Sequence, residues 1–477
     1  MSHTADEAGA LTDVADLGRV HLIGVGGAGM SAVAALLAAR GVVVSGSDAR
    51  DGALLSALRE VGVEVRVGHA AENVDEVDTV VVSTAIRSTN PELARARERG
   101  LRVLHRSQAL AALMAGRRGV AVAGAHGKTT TSAMIAVALR DAGLDPSFAI
   151  GGTVHGAQGA VGGGMHGSGD VFVAEADESD GSFLAYRPLV SVVTNVEPDH
   201  LDHYGDRAAF EAAFVAFADR VAAGGWLVAC WDDPGSRALA ERVRAEGRQV
   251  RTYGMQPGAD VRLTGFRSGG ATGGSSASIE TEDGVTALHL LVPGEHNALN
   301  ATAAWTVARL LGVDGARAAR GLGGFSGTGR RFEPRGVREG VRVVDDYAHH
   351  PTEVAALLRA ARSVAGEGRV LVLFQPHLFS RTLAFAQEFA DALGLADVVV
   401  VTDVYAARED VDPAVTGETI TALMPVDAGA RFVADRHAAA RCVGGLARPG
   451  DLVLTVGAGD VTELGPEVLE AVGTWAR

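Results

Sequence analysis

The segment that most constrains this chain is an apolar strand that runs directly into a glycine-rich loop and then into an alanine-rich helix. Residues 120–123 lead into Gly124, Ala125, His126, Gly127, Lys128, Thr129, Thr130 and Thr131. Such a loop between a strand and a helix aims backbone N–H groups and a helix N-terminus at one point, which suits a phosphate. In nucleoside triphosphate sites of this kind the lysine reaches the β- and γ-phosphates and the next hydroxyl ligates Mg²⁺. The strict motif has a Gly five residues ahead of Gly127, where this chain has Val122. The lysine is informative nonetheless, because Lys128 is the only lysine among 43 basic side chains. A bias toward arginine leaves a lysine where a compact ammonium is needed and a planar guanidinium does not fit. The loop implies ATP.

At 477 residues the chain has room for about three domains. Apolar runs alternate with glycine turns and Ala-rich helical stretches, the pattern of α/β folds with parallel sheets. Three blocks separate: a Rossmann-like N-terminal domain at 1–118, a P-loop-type central ATPase domain at 119–324 and a Rossmann-like C-terminal domain at 325–477. Strands are expected at 20–25, 42–44, 80–82, 120–123, 171–174, 190–194, 341–344, 370–374, 398–402 and 452–456. A helix is expected at 30–39, a loop at 326–336, and a surface loop or hairpin tip in the Gly/Ser/Thr-rich stretch 268–278. Polar clusters follow these strands, where open α/β sheets bind ligands.

A net charge of −15 repels polyanions and argues against a nucleic-acid or membrane-surface binder. Two cysteines, Cys230 and Cys442, exclude a disulfide framework and suit a reducing cytoplasm. The first 17 residues carry four acids and no Lys or Arg, unlike a secretory signal, and no apolar run is long enough to insert in a membrane.

The turn Gly24-Val25-Gly26-Gly27-Ala28-Gly29 contains G-x-G-x-x-G, and Asp48 follows the next strand. It fits a dinucleotide or any other diphosphate, a UDP-sugar included; close helix–strand packing is the bland reading. Glu175, in Glu175-Ala176-Asp177-Glu178-Ser179-Asp180, ends a strand beside the phosphate loop and is placed for Mg²⁺, although acids on a turn are usually just solvated. The stretch 195–203 adds Glu197, Asp199, His200, Asp202 and His203, carboxylates and imidazoles that can ligate a second Mg²⁺ or contact a transferring phosphoryl group; hard oxygen ligands dominate, which disfavours zinc. Asn297 is an N-cap candidate in Pro293-Gly294-Glu295-His296-Asn297. In the third block, Asp345–His350 and Gln375–Thr382 follow strands; Arg381 can pair with a carboxylate or phosphate, and Arg330-Arg331 can do so or be surface charge. The stretch 457–460 reads as a tight structural turn.

Taken together these motifs, in order along nearly the whole chain, resemble the Mur ligase family. The resemblance turns the first glycine turn from a nicotinamide site into a UDP-sugar site, formed by Gly26, Gly27, Ala28, Gly29, Met30, Ser31 and Asp48. It implies ATP-dependent amide formation between the lactyl carboxylate of UDP-N-acetylmuramate and L-alanine, through an acyl phosphate. It further implies ATP contacts from Gly124–Thr130, His296, Asn300 and Arg331, and two Mg²⁺ ions held by Thr129 and Glu175 and by His200. Tyr347, His349, His377 and Arg381 are implied around the amino acid, and Lys128, His200, His349 and Arg381 at the chemistry. No lysine stands where sister ligases carry a modified one, which agrees with the alanine-adding branch; so does the stretch 403–409. Ala348 stands where that branch commonly has Gly, and Ala348-His349-His350 also resembles a branch that recycles a murein tripeptide. A nicotinamide-dependent dehydrogenase and a non-catalytic ATP-gated sensor of UDP-sugars are the readings from other classes.

Overall fold

The computed structural model describes residues 14–198, 201–407, 409–425 and 429–473. By its internal contacts the chain forms two units. The first comprises the residues up to 264 with 278–288 and 299–325; the second comprises 265–277, 289–298 and 326–477.

The first unit opens with a five-stranded parallel sheet. Its spatial order is Glu64–Val67, Val44–Asp48, Val20–Ile23, Thr79–Val82, Arg102–His105. The chain reverses direction across the sheet beside Val20–Ile23, and that switch point is where such sheets hold ligands. The glycine turn sits there, at the carboxyl end of Val20–Ile23, and feeds the helix Ala28–Ala39. The helix therefore starts two residues ahead of the predicted 30, and the second strand runs through Asp48. All four residues of Val20–Ile23 are buried, the apolar Val20, Leu22 and Ile23 as expected of a parallel strand covered on both faces, and His21 beside Ser45 and Glu92.

The phosphate-loop strand, Arg118–Ala123, lies inside a second sheet between Val171–Glu175 and Val190–Val193, parallel to both. Trp226–Cys230 and Val250–Gly254 extend the parallel run. The carboxyl ends of the three inner strands thus deliver Gly124, Glu175 and Thr194 to one edge of the sheet. Helix Lys128–Asp141 leaves that edge with nine buried residues, Ala133, Met134, Ile135 and Leu139 among them, which fix its position on the sheet.

The second unit carries the sheet Glu333–Arg338, Val341–Asp346, Leu452–Val456, Val370–Phe374, Val398–Val401, Arg431–Phe432. Only Glu333–Arg338 is antiparallel to its neighbour. That strand overturns the predicted loop at 326–336. Pro334 is tolerated because the strand is an edge, and Gly336, at φ +148°, takes up the bulge between Pro334 and Gly336. Val341–Asp346 also runs two residues beyond the predicted 344, so Asp345 and Asp346 end the strand instead of following it. The Gly/Ser/Thr-rich stretch is a hairpin tip as predicted, shortened because Ser275 already begins the returning strand. Among the described residues no helix is long and apolar enough to cross a membrane.

Candidate functional site

In the phosphate loop, Gly124 (φ +136°) and Gly127 (φ +82°) both occupy backbone regions that favour glycine. A Cβ on Gly124 would lie 2.1 Å from the Thr194 hydroxyl, and one on Gly127 2.9 Å from Asn300 Oδ1. The space is therefore limited as well as the dihedral. Gly127 caps helix Lys128–Asp141 without a side chain, so the first-turn N–H groups receive no hydrogen bond from a capping side chain. The loop is held from behind: Asn195 Oδ1 accepts from His126 N at 3.1 Å, while Thr194 Oγ1 and Asn195 Nδ2 donate to His126 O. His126 Nε2 lies 3.1 Å from Glu197 Oε2.

Lys128 Nζ donates to Gly124 O (2.7 Å), Ala125 O (3.2 Å) and Glu178 Oε1 (2.8 Å). Burial alone would lower its pKa, but Glu178 and Asp177 outweigh that and raise it, which favours the charged ammonium. Thr129 Oγ1 donates to Glu175 Oε1 at 2.9 Å, and Gly151 N donates to Oε2 at 2.7 Å. A hydroxyl and a carboxylate side by side at the mouth of a phosphate-type loop are oxygen donors of the kind that Mg²⁺ takes. The glycine cradle and this donor pair fit a magnesium nucleotide. His200, predicted as a metal ligand, lies outside the described residues, as does Asp199.

In the glycine turn, Gly26 N donates to Asp48 Oδ2 at 2.9 Å, so Asp48 sets the shape of the turn. Gly27 caps helix Ala28–Ala39 without a side chain. Met30 is buried in the core, and Ser31 is engaged within the helix, its N–H donating to Gly27 O at 2.8 Å and its hydroxyl to Ala28 O, so Met30 offers a ligand mainly its backbone N–H and Ser31 shapes the turn. Sequence reasoning missed Arg106. It begins the helix just past the edge strand Arg102–His105, pairs with Asp177, and lies 2.5 Å from where a Cβ on Gly29 would stand. Its signal was position: an arginine at the carboxyl end of a parallel strand. His105 Nε2 lies 3.5 Å from Asp180 Oδ2. The glycine turn and the acidic stretch 175–180 are thus joined by charge within the first unit.

In the second unit the predicted amino-acid residues come together. The Tyr347 and His349 rings are 5.3 Å apart, His349 and His377 5.9 Å, and Arg381 Nη1 lies 3.4 Å from His377 Nδ1. Two residues of the predicted stretch 403–409 join them. Tyr405 stacks on His377, with centroids 5.9 Å apart. Glu409 accepts from Phe379 N (2.6 Å), Ser380 N (3.2 Å) and the Ser380 hydroxyl, at the start of the short helix Phe379–Ala384 that carries Arg381. Arg331 and Arg330 both lie over the Tyr347 ring, 4.9 and 4.7 Å from its centroid. Arg330 also ties Asp345 to the turn at 457–459, donating to Gly457 O and Gly459 O, so it is a brace for that turn. Asp346 accepts from Phe332 N and Ala348 N at 2.8 Å, while burial pushes its carboxyl up to about 6 against the pull of Arg331.

His296 and Asn300 lie on the helix Glu295–Leu310. Burial, then Arg331, lowers the His296 imidazole to about 4 and keeps it neutral. Asn297 is not the N-cap: it lies within the first turn, and its Nδ2 donates to Pro293 O at 2.7 Å.

Against this geometry the relatives are informative. Models of the Mur ligase family match residues 19–118 (catalytic domain), 122–308 (middle domain) and 330–459 (glutamate ligase domain). The chain belongs to the Mur ligase family. It is 61% identical to the UDP-N-acetylmuramate–L-alanine ligase of Kineococcus radiotolerans over 98% of both chains. It is 57% identical to the enzyme of that name from Renibacterium salmoninarum over 97% of both. A crystal structure of UDP-N-acetylmuramate–alanine ligase from Thermotoga maritima superposes with a TM-score of 0.79 at 30% identity, covering 95% of this chain and 98% of that one.

Proposed function

We infer that this chain is an ATP-dependent ligase that joins L-alanine to the lactyl carboxylate of UDP-N-acetylmuramate during peptidoglycan precursor synthesis. The observation that carries the nucleotide half is the loop Gly124–Thr129, with its lone lysine and the Thr129–Glu175 pair at its mouth. The amino-acid half rests on the full-length similarity to alanine ligases. Domain limits at 1–118, 119–324 and 325–477 and a cytoplasmic setting accompany this reading.

A carboxylate is a poor acyl donor because its leaving group would be oxide. Moving the γ-phosphoryl group of ATP onto it gives an acyl phosphate, from which phosphate departs when the alanine amine attacks. The protein's work is positioning and charge neutralisation. Lys128 and the N–H groups of Gly127–Thr129 neutralise phosphate oxygens. Thr129 and Glu175 would hold one Mg²⁺, and His200 is proposed for a second; the ion supplies positive charge to the transferring group. Neutral His296 offers an adenine a flat, uncharged neighbour, and Asn300 is proposed beside it. Gly26–Ser31, shaped by Asp48, takes the UDP diphosphate on a helix N-terminus. Tyr347, His349 and His377 wall the amino acid, and Arg381 pairs its carboxylate.

The test is phosphate release from Mg-ATP with UDP-N-acetylmuramate, comparing L-alanine with L-Ala-γ-D-Glu-meso-diaminopimelate. Release with L-alanine alone is expected. Release with the tripeptide alone would make the chain the recycling ligase. Silence with both would return the glycine turn to the nicotinamide and sensor readings.

A further inference from the structure

Glu178 is a fully buried carboxylate to which the reaction above gives no task. One of its oxygens, Oε1, accepts from Lys128; the other, Oε2, is buried without a hydrogen-bond partner. The Glu178 backbone is pinned, its carbonyl accepting from Gly181 N and from the Tyr204 hydroxyl. An ammonium has three protons, and those of Lys128 have three acceptors: Gly124 O, Ala125 O and Glu178 Oε1. The inventory is full. A phosphate that binds Lys128 must displace one acceptor, and the only anion of the three is Glu178.

We propose that Glu178 is a displaceable counterion of the phosphate-loop lysine, which yields Lys128 to the arriving phosphates and takes up a proton in exchange. This rests on the nucleotide reading of the Gly124–Thr129 loop. A buried carboxylate that loses its cation while phosphates approach is left as an uncompensated charge, and protonation relieves it. The balance is simple: the ammonium keeps its three protons, the phosphates take its charge, and one proton from solvent neutralises Glu178.

The groups around Glu178 agree. Among the described residues, Lys128 faces it from helix Lys128–Asp141, Asp177 from its own segment and Tyr204 from the helix Leu201–Tyr204; Asp180 lies beside Tyr204. Arg106 is engaged by Asp177. Burial pushes the Glu178 carboxyl up to about 7 even with Lys128 in place and pulling down, and Asp177 adds to the rise. Loss of Lys128 raises it further, so nucleotide binding above neutral pH takes up protons, and affinity falls as pH rises. Glu178 is a positioning residue: it acts through Lys128.

The experiment is calorimetric titration of the whole chain with Mg-AMPPNP, a non-hydrolysable analogue, in two buffers of different ionisation enthalpy. Wild type and Glu178→Gln are compared at pH 6.5, 7.5 and 8.5. Relative to the variant, wild type is expected to take up roughly 0.3–0.8 additional proton per nucleotide at pH 7.5. The variant is expected to bind several-fold tighter at pH 8.5, with the gap closing toward pH 6.5. Equal proton counts and parallel pH profiles overturn the proposal. A wild type that binds no nucleotide overturns the reading of the loop itself and the proposal with it. Should the variant fail to fold, an infrared difference spectrum of the wild type decides: a carboxylic-acid carbonyl band must appear on nucleotide binding, and its absence refutes the exchange.

Discussion

Asn300 Oδ1 stands 2.9 Å from the point a Cβ on Gly127 would occupy, so the first turn of the phosphate-loop helix is closed on one side by an amide. Gly127→Ala therefore meets two obstacles, a left-handed backbone and a side chain. The strain is expected to cost about 1–3 kcal/mol and to raise KM for ATP about tenfold or more. The double variant Gly127→Ala/Asn300→Ala separates the two. Recovery of part of the KM change assigns that part to the amide, and no recovery leaves the backbone as the whole cause.

Lys128→Arg is not conservative here. The ammonium fits among Gly124 O, Ala125 O and Glu178 Oε1, and a planar fork with five donors does not reproduce that geometry. Turnover is expected to fall about 100-fold or more, with the circular dichroism of the folded protein retained. Near-normal kcat in Lys128→Arg would remove the argument drawn from the lone lysine, and near-normal kcat in Lys128→Ala would remove its phosphate role.

Glu409→Ala should act on the amino acid and leave the nucleotide alone. It frees Phe379 N, Ser380 N and the Ser380 hydroxyl at the start of the helix that carries Arg381. KM for L-alanine is expected to rise roughly tenfold, with KM for ATP unchanged. Equal changes in both KM values would mean that the substitution disturbs the fold as a whole.

His296 supplies a pH dependence whose sign is fixed. Its folded pKa, about 4, lies below the ordinary 6.5 of an unfolded histidine. Its contribution to stability is complete above about 6.5 and is lost as pH falls toward 4, because the unfolded chain binds the proton first. The His296 imidazole resonance is expected to keep its neutral position at pH 5.5, and a midpoint near 6.5 would contradict the burial argument.

Gly29→Ala places a Cβ against Arg106 Nη1, while Asp177 holds the same guanidinium through Nη2. Arg106 has to swing away or lose its partner. KM for UDP-N-acetylmuramate is expected to rise several-fold with little change for ATP; no change in either would mean that Arg106 is merely structural.

Much of the first unit was legible because its signals are local. A strand, a glycine turn and a helix are contiguous in sequence, and Lys128 and Thr129 sit where that order puts them, while Glu175 was marked by the end of its own strand, Val171–Glu175. Arg106, Glu178 and the Asn300–Gly127 contact were not legible as functional, because each acquires its meaning from a residue more than forty positions away. The strand Glu333–Arg338 was hidden for the opposite reason: Pro334 and Gly336 are local signs of a loop, overridden by pairing with Val341–Asp346 at an edge. Asn297 misled because a polar residue near a helix start reads as a cap, and only the backbone fixes where the first turn begins.

The order of strands in the second unit also dictates when that unit comes into being. Leu452–Val456 lies between Val341–Asp346 and Val370–Phe374, though among the described residues it is the last strand to be synthesised. Until the ribosome has made residue 456, the sheet lacks its central member and its two flanking strands have unpaired edges facing a gap. A chain cut short at residue 450 therefore loses more than one strand, because the sheet is split at its centre and both strands beside the gap lose the partner on that side.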